Sequence, residues 1–548
     1  AAITTGIQNT LIGGLAGDAL VASADNVAVG FEALSTETGG QNNVAIGPRA
    51  LKAQVNSSGN IYNTAVGANA GTSITTGIEN TLIGGLAGDA LTDADKNVAV
   101  GRGAIGSDTL GSRSVAVGFQ ALGDQNFTTA TDVYNVGVGY EAGTSITTGV
   151  RNTILGGRAG DALTDADYNV AIGTDALTAD TLGSKSVAIG VDALGNQNFT
   201  TATDSLNTAV GYAAGLRVTT GIRNTLVGSL AGDAITDADN NVAVGTNALG
   251  TNQLGSANIA IGRLALGTMN PATAANTYNT AVGADAGASV TTGTQNTLIG
   301  GQAGDALTTG AQNVAVGYLA LSAETTSANN VAIGREALKT QDGAANNVAV
   351  GRTAGAAVTT GDRNTLIGGL AGDALTTGSK NVIAGYDTDV DSSGRFGAVA
   401  LGSELSTHAA NNSFRVKGDG GVYNTGNTSA WNTTSDRRIK KNITDSTVGL
   451  AEINQIQVRN FEYRTAKEIT DSELQSYDLE DLAINKTGEQ VGCIAQELAE
   501  IIPSAVVLDD RGVNNVQGDE LIWHVIKAIQ EQSALITALT DRIAALEG

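Results

Sequence analysis

A nine-residue pattern, Asn-(Thr/Val)-x-(Ile/Val)-Gly-x-x-Ala-(Gly/Leu), recurs through the first 390 residues and constrains the fold more than any other feature. Its copies begin at positions 9, 26, 43, 63, 80, 97, 114, 135, 152, 169, 186, 207, 224, 241, 258, 279, 296, 313, 330, 347, 364 and 381, with Ser replacing Asn at 114 and 186. Most of the 22 units are 17 residues apart, and a period of about 72 residues is superimposed. This periodicity predicts a solenoid whose repeats stack on one another.

Each unit predicts one short strand. In the segment 26–30, Val27 and Val29 should share one face and Ala28 the other, because side chains alternate along a strand. Gly30 then permits a sharp bend. With 73 glycines and only 4% aromatic residues, one coil is too thin to bury much apolar surface. We therefore expect a mostly β fold in which three chains form a trimeric β-roll or β-prism. A monomeric solenoid is the alternative.

The repeat resembles the head repeats of trimeric autotransporter adhesins and the shafts of some phage fibres. The resemblance covers about 390 residues. It departs from the adhesin heads in period, since their coils usually have fewer residues. The resemblance implies a homotrimer.

Composition excludes several functions. The net charge of −24 argues against nucleic-acid binding, because phosphates require Lys and Arg. The single cysteine, Cys493, excludes an internal disulfide framework. No apolar stretch reaches 18 residues, so we expect no membrane insertion. No metal cluster or phosphate-binding loop is recognisable, and we expect no cofactor and no metal.

Two surface features leave alternatives open. Inserts before positions 135, 207 and 279 carry Phe127, Tyr134, Phe199 and Tyr278, which would either contact host glycans or cap the coil edges. Acidic pairs recur in three coils and would either hold Ca²⁺ or form solvated turns, with the second favoured. The pairs are Asp93 and Asp95, Asp165 and Asp167, and Asp237 and Asp239.

Changes in composition and repeat pattern along the chain predict four segments. Residues 1–390 form the repetitive β-solenoid shaft, and 391–434 form a small β-rich neck with glycine turns. Residues 435–517 are richer in charge and in helix formers and are expected to form an α+β core. Residues 518–548 form a C-terminal coiled-coil helix.

The stretch SDRRIKKNI at 435–443 allows two interpretations. Ser435 followed by Asp436 could cap a helix. Alternatively, a neutral Lys440 amine could remove the Ser435 hydroxyl proton and make the serine a nucleophile, which requires partial desolvation of the lysine. Serine and lysine at this spacing are common, so the spacing alone does not decide.

The whole of 435–548 resembles the intramolecular chaperone domain of endosialidase tailspikes and related phage fibres, which is an autoprotease family. The resemblance rests on SDRRIKKNI at 435–443, LAEINQIQVRNFEYR at 450–464 and VGCIAQELAEIIPSAV at 491–506. It implies that Ser435 is the nucleophile, Lys440 the base and Thr434–Ser435 the cleaved bond. A larger apolar residue is typical at Cys493, for which we expect a packing role.

The C-terminal helix carries a heptad pattern. Ile522, Ile529, Ile536 and Ile543 are seven residues apart, and Val525, Gln532, Leu539 and Leu546 occupy the alternate core position. The apolar seam alone is compatible with a two-stranded coiled coil or with packing of the helix against its own domain. The resemblance favours a trimer.

Together these features predict a phage tail-fibre shaft or receptor-binding protein, assembled in the host cytoplasm and located in the virion tail fibre. Its C-terminal domain would drive trimerisation and then cut itself off once, acting as a serine–lysine endopeptidase with no external substrate; whether the chain acts as an enzyme stays open. The expected partners are two further copies, a host surface receptor of glycan type, and other tail proteins through a missing N-terminal region. The alternatives are a bacterial trimeric surface adhesin and a polysaccharide-degrading tailspike whose enzymatic part is missing.

Overall fold

The computed structural model describes residues 3–390, 392–405, 411–412, 414–416, 437, 441–471, 474, 487–508 and 512–548. The chain divides into two compact units, Ala1–Asp389 and Val390–Gly548. The first is a β-solenoid. The second is a short C-terminal region that ends in a long helix. The expected fold class, a mostly β solenoid followed by a helix-containing C-terminal region, is confirmed.

In the solenoid each coil contributes one three-residue strand, and neighbouring strands pair parallel and in register, as Val27 pairs with Val44 and Val29 with Ile46. The strands are Thr10–Ile12, Val27–Val29, Val44–Ile46, Thr64–Val66, Thr81–Ile83, Val98–Val100, Val115–Val117, Val136–Val138, Thr153–Leu155, Val170–Ile172, Val187–Ile189, Thr208–Val210, Thr225–Val227, Val242–Val244, Ile259–Ile261, Thr280–Val282, Thr297–Ile299, Val314–Val316, Val331–Ile333, Val348–Val350, Thr365–Ile367 and Val382–Ala384. One continuous parallel sheet therefore runs along the solenoid.

The side chains of each strand alternate as the sequence predicts. Ala28 is fully buried, whereas Val27 and Val29 remain partly exposed on the outer face. The same alternation recurs in nearly every coil, so the outer face of the sheet carries two columns of Val, Ile, Leu and Thr side chains.

Glycine at the fifth position of each coil is required by the close stacking. Gly211 has φ +138, and a Cβ there would lie 2.5 Å from the carbonyl oxygen of Gly228 on the next coil. Neither the backbone angle nor the space admits a side chain. The glycine that recurs at the fifth coil position therefore permits the close coil-to-coil spacing.

The longer period of 72 residues is accompanied by a regular change of packing inside the solenoid. Coils with a large residue at the strand centre, such as Leu82, have glycine at the ninth position, and a Cβ on Gly88 would lie 2.8 Å from Leu82 and from Leu91. Some coils with alanine at the centre, such as Ala28, instead bury a large residue such as Leu34 at the ninth position. In others, such as the coil of Ala65, the ninth position is also glycine, and a Cβ on Gly71 would lie 2.7 Å from Leu82 of the next coil. Large residues therefore lie over small ones because the interior has a fixed volume.

Asparagine at the first position forms a buried ladder. The Asn152 side-chain oxygen accepts a hydrogen bond from the backbone N–H of Asn169 at 2.9 Å, and its Nδ2 donates to the carbonyl of Ala166 at 2.8 Å. Where Ser114 replaces Asn, the amide of Gln125 reaches the same region and accepts from Asn135 Nδ2 at 3.0 Å. Each amide therefore satisfies backbone groups that are buried between coils.

The C-terminal unit contains short elements around a small core. Its strands and helices are the parallel pair Val399–Leu401 and Phe414–Val416, helix α1 Leu450–Ile453, strand Arg459–Phe461, the 3-10 turn Ala466–Glu468, strand Gln490–Gly492, helix α2 Ala495–Ile501, the 3-10 turn Pro503–Ala505, strands Val506–Leu508 and Asn514–Val516, and helix α3 Gly518–Glu547. Leu498, Ile502 and Ala505 form the buried cluster, and Cys493 packs against it. The expected packing role of Cys493 is confirmed. None of the helices in the described part of the chain is long and apolar enough to cross a membrane.

Candidate functional site

The predicted cleavage residues Thr434, Ser435 and Lys440 lie outside the residues that the structure describes. Their assignment stays a prediction. The structure does describe Arg437 and the segment from Lys441 onward, and it shows what holds that segment in place.

The segment that follows Lys440 is fixed to helix α3 by two polar contacts. The Leu450 backbone N–H donates to the Glu531 carboxylate at 2.8 Å. The Ser446 hydroxyl lies 3.3 Å from His524 Nδ1. A Cβ on Gly449 would lie 2.3 Å from Glu531, so glycine at this position permits the close approach. The terminal helix thus positions the chain only a few residues beyond the predicted base.

The carboxylates of this region are placed by backbone groups. Glu452 accepts from the Gly449 N–H at 2.9 Å and closes the first turn of α1. This hydrogen bond lowers the pKa of Glu452 below its ordinary value. Lys527 lies 3.8 Å from Glu531, one helical turn away. The anchoring carboxylate therefore also has a cation within reach.

The second and third sequence blocks that carry the chaperone resemblance meet in the fold. Strand Arg459–Phe461 pairs antiparallel with Gln490–Gly492, which lies at the start of the third block. Arg459 forms a two-pronged ion pair with Glu497 of α2, at 3.2 and 3.0 Å. Segments that are far apart in the sequence are thereby joined into one small domain.

One contact of this region, made by a histidine, was not predicted from the sequence. His524 lies between Ser446 and Glu520, with 3.7 Å from Nε2 to the Glu520 carboxylate. The spacing of Glu520 and His524, four residues apart on one helix, was the available signal. His408, the other histidine, lies outside the described residues.

The aromatic residues of the solenoid inserts differ in burial. Phe127 and Phe199 are buried, each 6% exposed, and their rings lie against Gly111 and Gly183. The inserts also add two-residue strand pairs, Gly111–Ser112 with Thr131–Asp132, Gly183–Ser184 with Thr203–Asp204, and Gly255–Ser256 with Ala275–Asn276. The phenylalanines therefore cap the coil edge, as the second interpretation predicted.

The two tyrosines of the inserts remain exposed. Tyr134 is 44% exposed, and its hydroxyl lies 2.6 Å from the Arg113 guanidinium, which also lies over the ring at 5.6 Å. Tyr278 is 56% exposed. Of the four insert aromatics, only the tyrosines are available to a ligand.

The acidic pairs form hydrogen bonds between coils. Asp95 accepts from the Ile78 N–H at 2.8 Å, and its own N–H donates to the Ser112 hydroxyl at 2.9 Å. Asp93 accepts from the Thr76 hydroxyl. Within the described residues, no group of three or more His, Cys, Asp and Glu side chains could hold a metal ion. Turn stabilisation accounts for these aspartates without a ligand.

Buried acids inside the solenoid were not anticipated. Asp108 accepts from Gln125 Nε2 at 2.6 Å, from the Phe127 N–H at 3.0 Å and from the Gly111 N–H at 3.1 Å. Burial raises the pKa of Asp108 and, in the equivalent coil, of Asp180, although the hydrogen bonds from Gln125 and Gln197 act in the opposite direction. Glu37 and Glu324 occupy the same coil position and pair with Gln54 and Gln341.

No curated protein matches this chain significantly. The match that was found is confined to the C-terminal region, begins at Ser435 and includes both of the blocks that pair in the fold. Residues 435–507 match the family described as the chaperone of endosialidase, so this chain carries an endosialidase-chaperone domain C-terminal to its β-solenoid.

Proposed function

We propose that the chain is the shaft of a phage tail fibre, that three copies assemble through the endosialidase-chaperone domain, and that this domain then cleaves itself off. The observation that carries the proposal is the family match over 435–507, which begins at the predicted nucleophile. Attachment of the virion to a host glycan is part of the proposal.

The outer face of the solenoid supports a trimer. The column at the fourth coil position is apolar along the solenoid, with Ile46 38%, Leu155 45% and Ile367 47% exposed in a single chain, whereas the column at the second position mixes Val and Ile with Thr. An apolar surface of this length is typical of a protein interface. Two further copies of the same chain would present identical columns at identical spacing.

Helix α3 supports the same assembly. Ile522, Ile529 and Ile536 are 56 to 58% exposed, and Leu539 and Leu546 of the alternate core position are also exposed. Such a seam is stable in water only when other helices cover it. Because one solenoid coil looks like the next, an end that fixes the three chains first would prevent assembly in the wrong register.

The proposed cleavage is a serine-based acyl transfer. Lys440, as the neutral amine, removes the hydroxyl proton of Ser435, and the oxygen attacks the carbonyl carbon of Thr434. The peptide bond breaks, its nitrogen takes a proton and becomes the new amino terminus at Ser435, and an ester links the two parts. Water then hydrolyses the ester, which leaves a carboxylate at Thr434 and restores the hydroxyl.

Mass spectrometry of the denatured protein tests this step. We expect the wild type to give two species, residues 1–434 and 435–548, and Ser435→Ala to give only the full chain. Lys440→Ala should also stay intact, whereas the matched control Lys441→Ala should cleave normally. A cleaved Ser435→Ala protein would contradict the assignment.

The virion location is tested separately. Antibodies against the solenoid should detect residues 1–434 in purified phage particles, with the fragment 435–548 absent from them. Detection on a bacterial surface and not in particles would favour the adhesin alternative.

A further inference from the structure

A column of stacked side chains lies on the outside of the solenoid at the sixth position of three successive coils. The Arg102 guanidinium lies 5.6 Å from the centre of the Phe119 ring. The Phe119 and Tyr140 rings are nearly parallel, at 10°, with centres 5.4 Å apart. Tyr140 is 56% exposed, although one face of its ring is covered by Phe119.

The column ends in an empty slot. The sixth position of the next coil is Gly157, and a Cβ there would meet no atom within 4 Å. At three other sixth-position glycines the ring of the following coil covers the glycine, as Tyr318 covers Gly301 at 3.5 Å. The face of Tyr140 that points away from Phe119 is therefore left open.

The slot has the thickness of one ring. The next sixth-position side chain is Thr174, two coils beyond Tyr140. Since adjacent strands are about 4.8 Å apart, the two side chains are separated by roughly 10 Å. That distance accommodates one further ring between them, as Tyr140 itself fits beyond Phe119.

The rim of the slot carries polar groups. Arg158 forms an ion pair with Asp175 at 2.8 Å, and its side chain is 54% exposed, which leaves guanidinium N–H groups facing solvent. The neighbouring Glu141 carboxylate raises the pKa of the Tyr140 hydroxyl, and the charge of Arg158 acts in the opposite direction. An aromatic surface flanked by both donors and acceptors is thus present in one place.

We propose that this slot binds one pyranose ring of a host surface polysaccharide. A pyranose is one ring thick, presents a face of C–H groups to an aromatic ring, and carries hydroxyls around its edge for Arg158 and Asp175. A nucleotide base could also stack, but the acidic rim and the net charge of −24 oppose its phosphate. The inference rests on the proposed function, since it names where the fibre holds its receptor.

Substitution of Gly157 fills the slot without altering the stacked residues. Phe or Tyr already occupies the sixth position in other coils, as Phe31, Phe119 and Tyr212 do, so Gly157→Phe should fold and extend the column by one ring. Gly85→Phe is the matched control, because Gly85 has the same coil position and its nearest atom to a Cβ is 3.9 Å away.

Saturation-transfer NMR on the full-length protein tests the proposal, with methyl β-D-glucopyranoside and methyl β-D-galactopyranoside as probes at up to ~50 mM, since a ligand this small binds in the millimolar range. We expect transfer to the ring C–H protons in the wild type and in Gly85→Phe, and at least a tenfold loss in Gly157→Phe and Tyr140→Ala.

Three results would contradict sugar binding in the slot. They are no transfer to either glycoside in the wild type, undiminished transfer in Gly157→Phe, and a changed assembly mass for Gly157→Phe, which would place the column in a subunit interface. If the wild type assembles and cleaves itself but shows no saturation transfer to the glycosides, only the proposed sugar binding in the slot is refuted. A wild type that binds the glycosides yet stays monomeric and intact refutes the proposed shaft function alone.

Discussion

The solenoid and the C-terminal unit place their apolar residues in opposite ways. In the solenoid nearly every coil buries a strand-centre residue, such as Ala28 or Leu82, inside its own chain, and the first-position amides satisfy the backbone between coils. In the C-terminal unit the described core is small, centred on Leu498 and Ile502, while helix α3 exposes most of its apolar residues. The solenoid holds its coils together locally, whereas the C-terminal unit leaves the apolar side chains of its long helix exposed.

This comparison separates two kinds of stability. A solenoid contact joins each coil only to its neighbours, so damage is local and approximately additive along the array. A coiled-coil seam is shared by all chains at once, so one disrupted position affects the whole assembly.

The largest effect is expected from a charge in the seam of α3. Ile529→Lys should prevent assembly, because a lysine ammonium cannot be buried between helices without a partner. Light scattering should give a mass near the 54.8 kDa of one chain, in place of three times that value for the uncleaved Ser435→Ala background. Ala538→Lys in the same background adds the same charge outside the seam and should remain trimeric. A trimeric Ile529→Lys protein would refute the role of the helix.

A side chain at the fifth coil position should strongly destabilise the solenoid. Gly211→Ala places a Cβ 2.5 Å from the Gly228 oxygen at a φ of +138, and should cost at least about 3 kcal/mol. The measurement is thermal unfolding followed by circular dichroism. Gly85→Ala, whose Cβ meets its nearest atom at 3.9 Å, should unfold like the wild type. Equal stability of the two variants would show that coil spacing adapts.

Loss of one rung of the asparagine ladder should have an intermediate effect. Asn224 accepts from the Asn241 N–H at 3.0 Å and donates to the Ala238 carbonyl at 2.8 Å, so Asn224→Ala leaves both groups buried without a partner. We expect a loss of about 2 kcal/mol in the free energy of unfolding. Thr246→Ala, an exposed change on the next coil, should be neutral in the same denaturant titration.

The smallest effect concerns pH. Burial raises the pKa of Asp108 in the folded state above its ordinary value of 3.8, so the folded state holds a proton that the unfolded state has already lost. Its contribution to stability is fully present below pH 3.8 and is lost as the pH rises through the folded pKa. The double change Asp108→Asn with Gln125→Met copies Asn252 and Met269 of a later coil, and should flatten this part of the stability–pH curve. An unchanged curve would show that the carboxylate is effectively solvated.

Much of the solenoid was predictable because its information is local. The period of 17 residues, the strand in each unit and the orientation of residues such as Val27 and Ala28 follow from alternation along an extended chain. The heptad likewise predicted helix Gly518–Glu547. For the predicted cleavage residues, the residue types left a helix cap and a nucleophile open, and only the family resemblance favoured the latter.

Contacts between coils were harder to infer. Phe127 and Tyr134 belong to the same insert, yet one is buried over Gly111 and the other stacks under Arg113. The acid–glutamine pairs, such as Asp108 with Gln125, were missed because their members are one full coil apart, beyond the range of a local pattern.

Three features could be read from the sequence alone because they depend on periodicities of two, seven and seventeen residues. They are the repetition of the chain, the strand with one inward residue in each repeat, and the C-terminal helix with its apolar seam. The three-dimensional fold was needed to show which large residues lie over which glycines, which acids are buried and which aromatic face stays open at Gly157. Those outcomes depend on the residue that stacking places on the next coil, and therefore on the three-dimensional path of the chain.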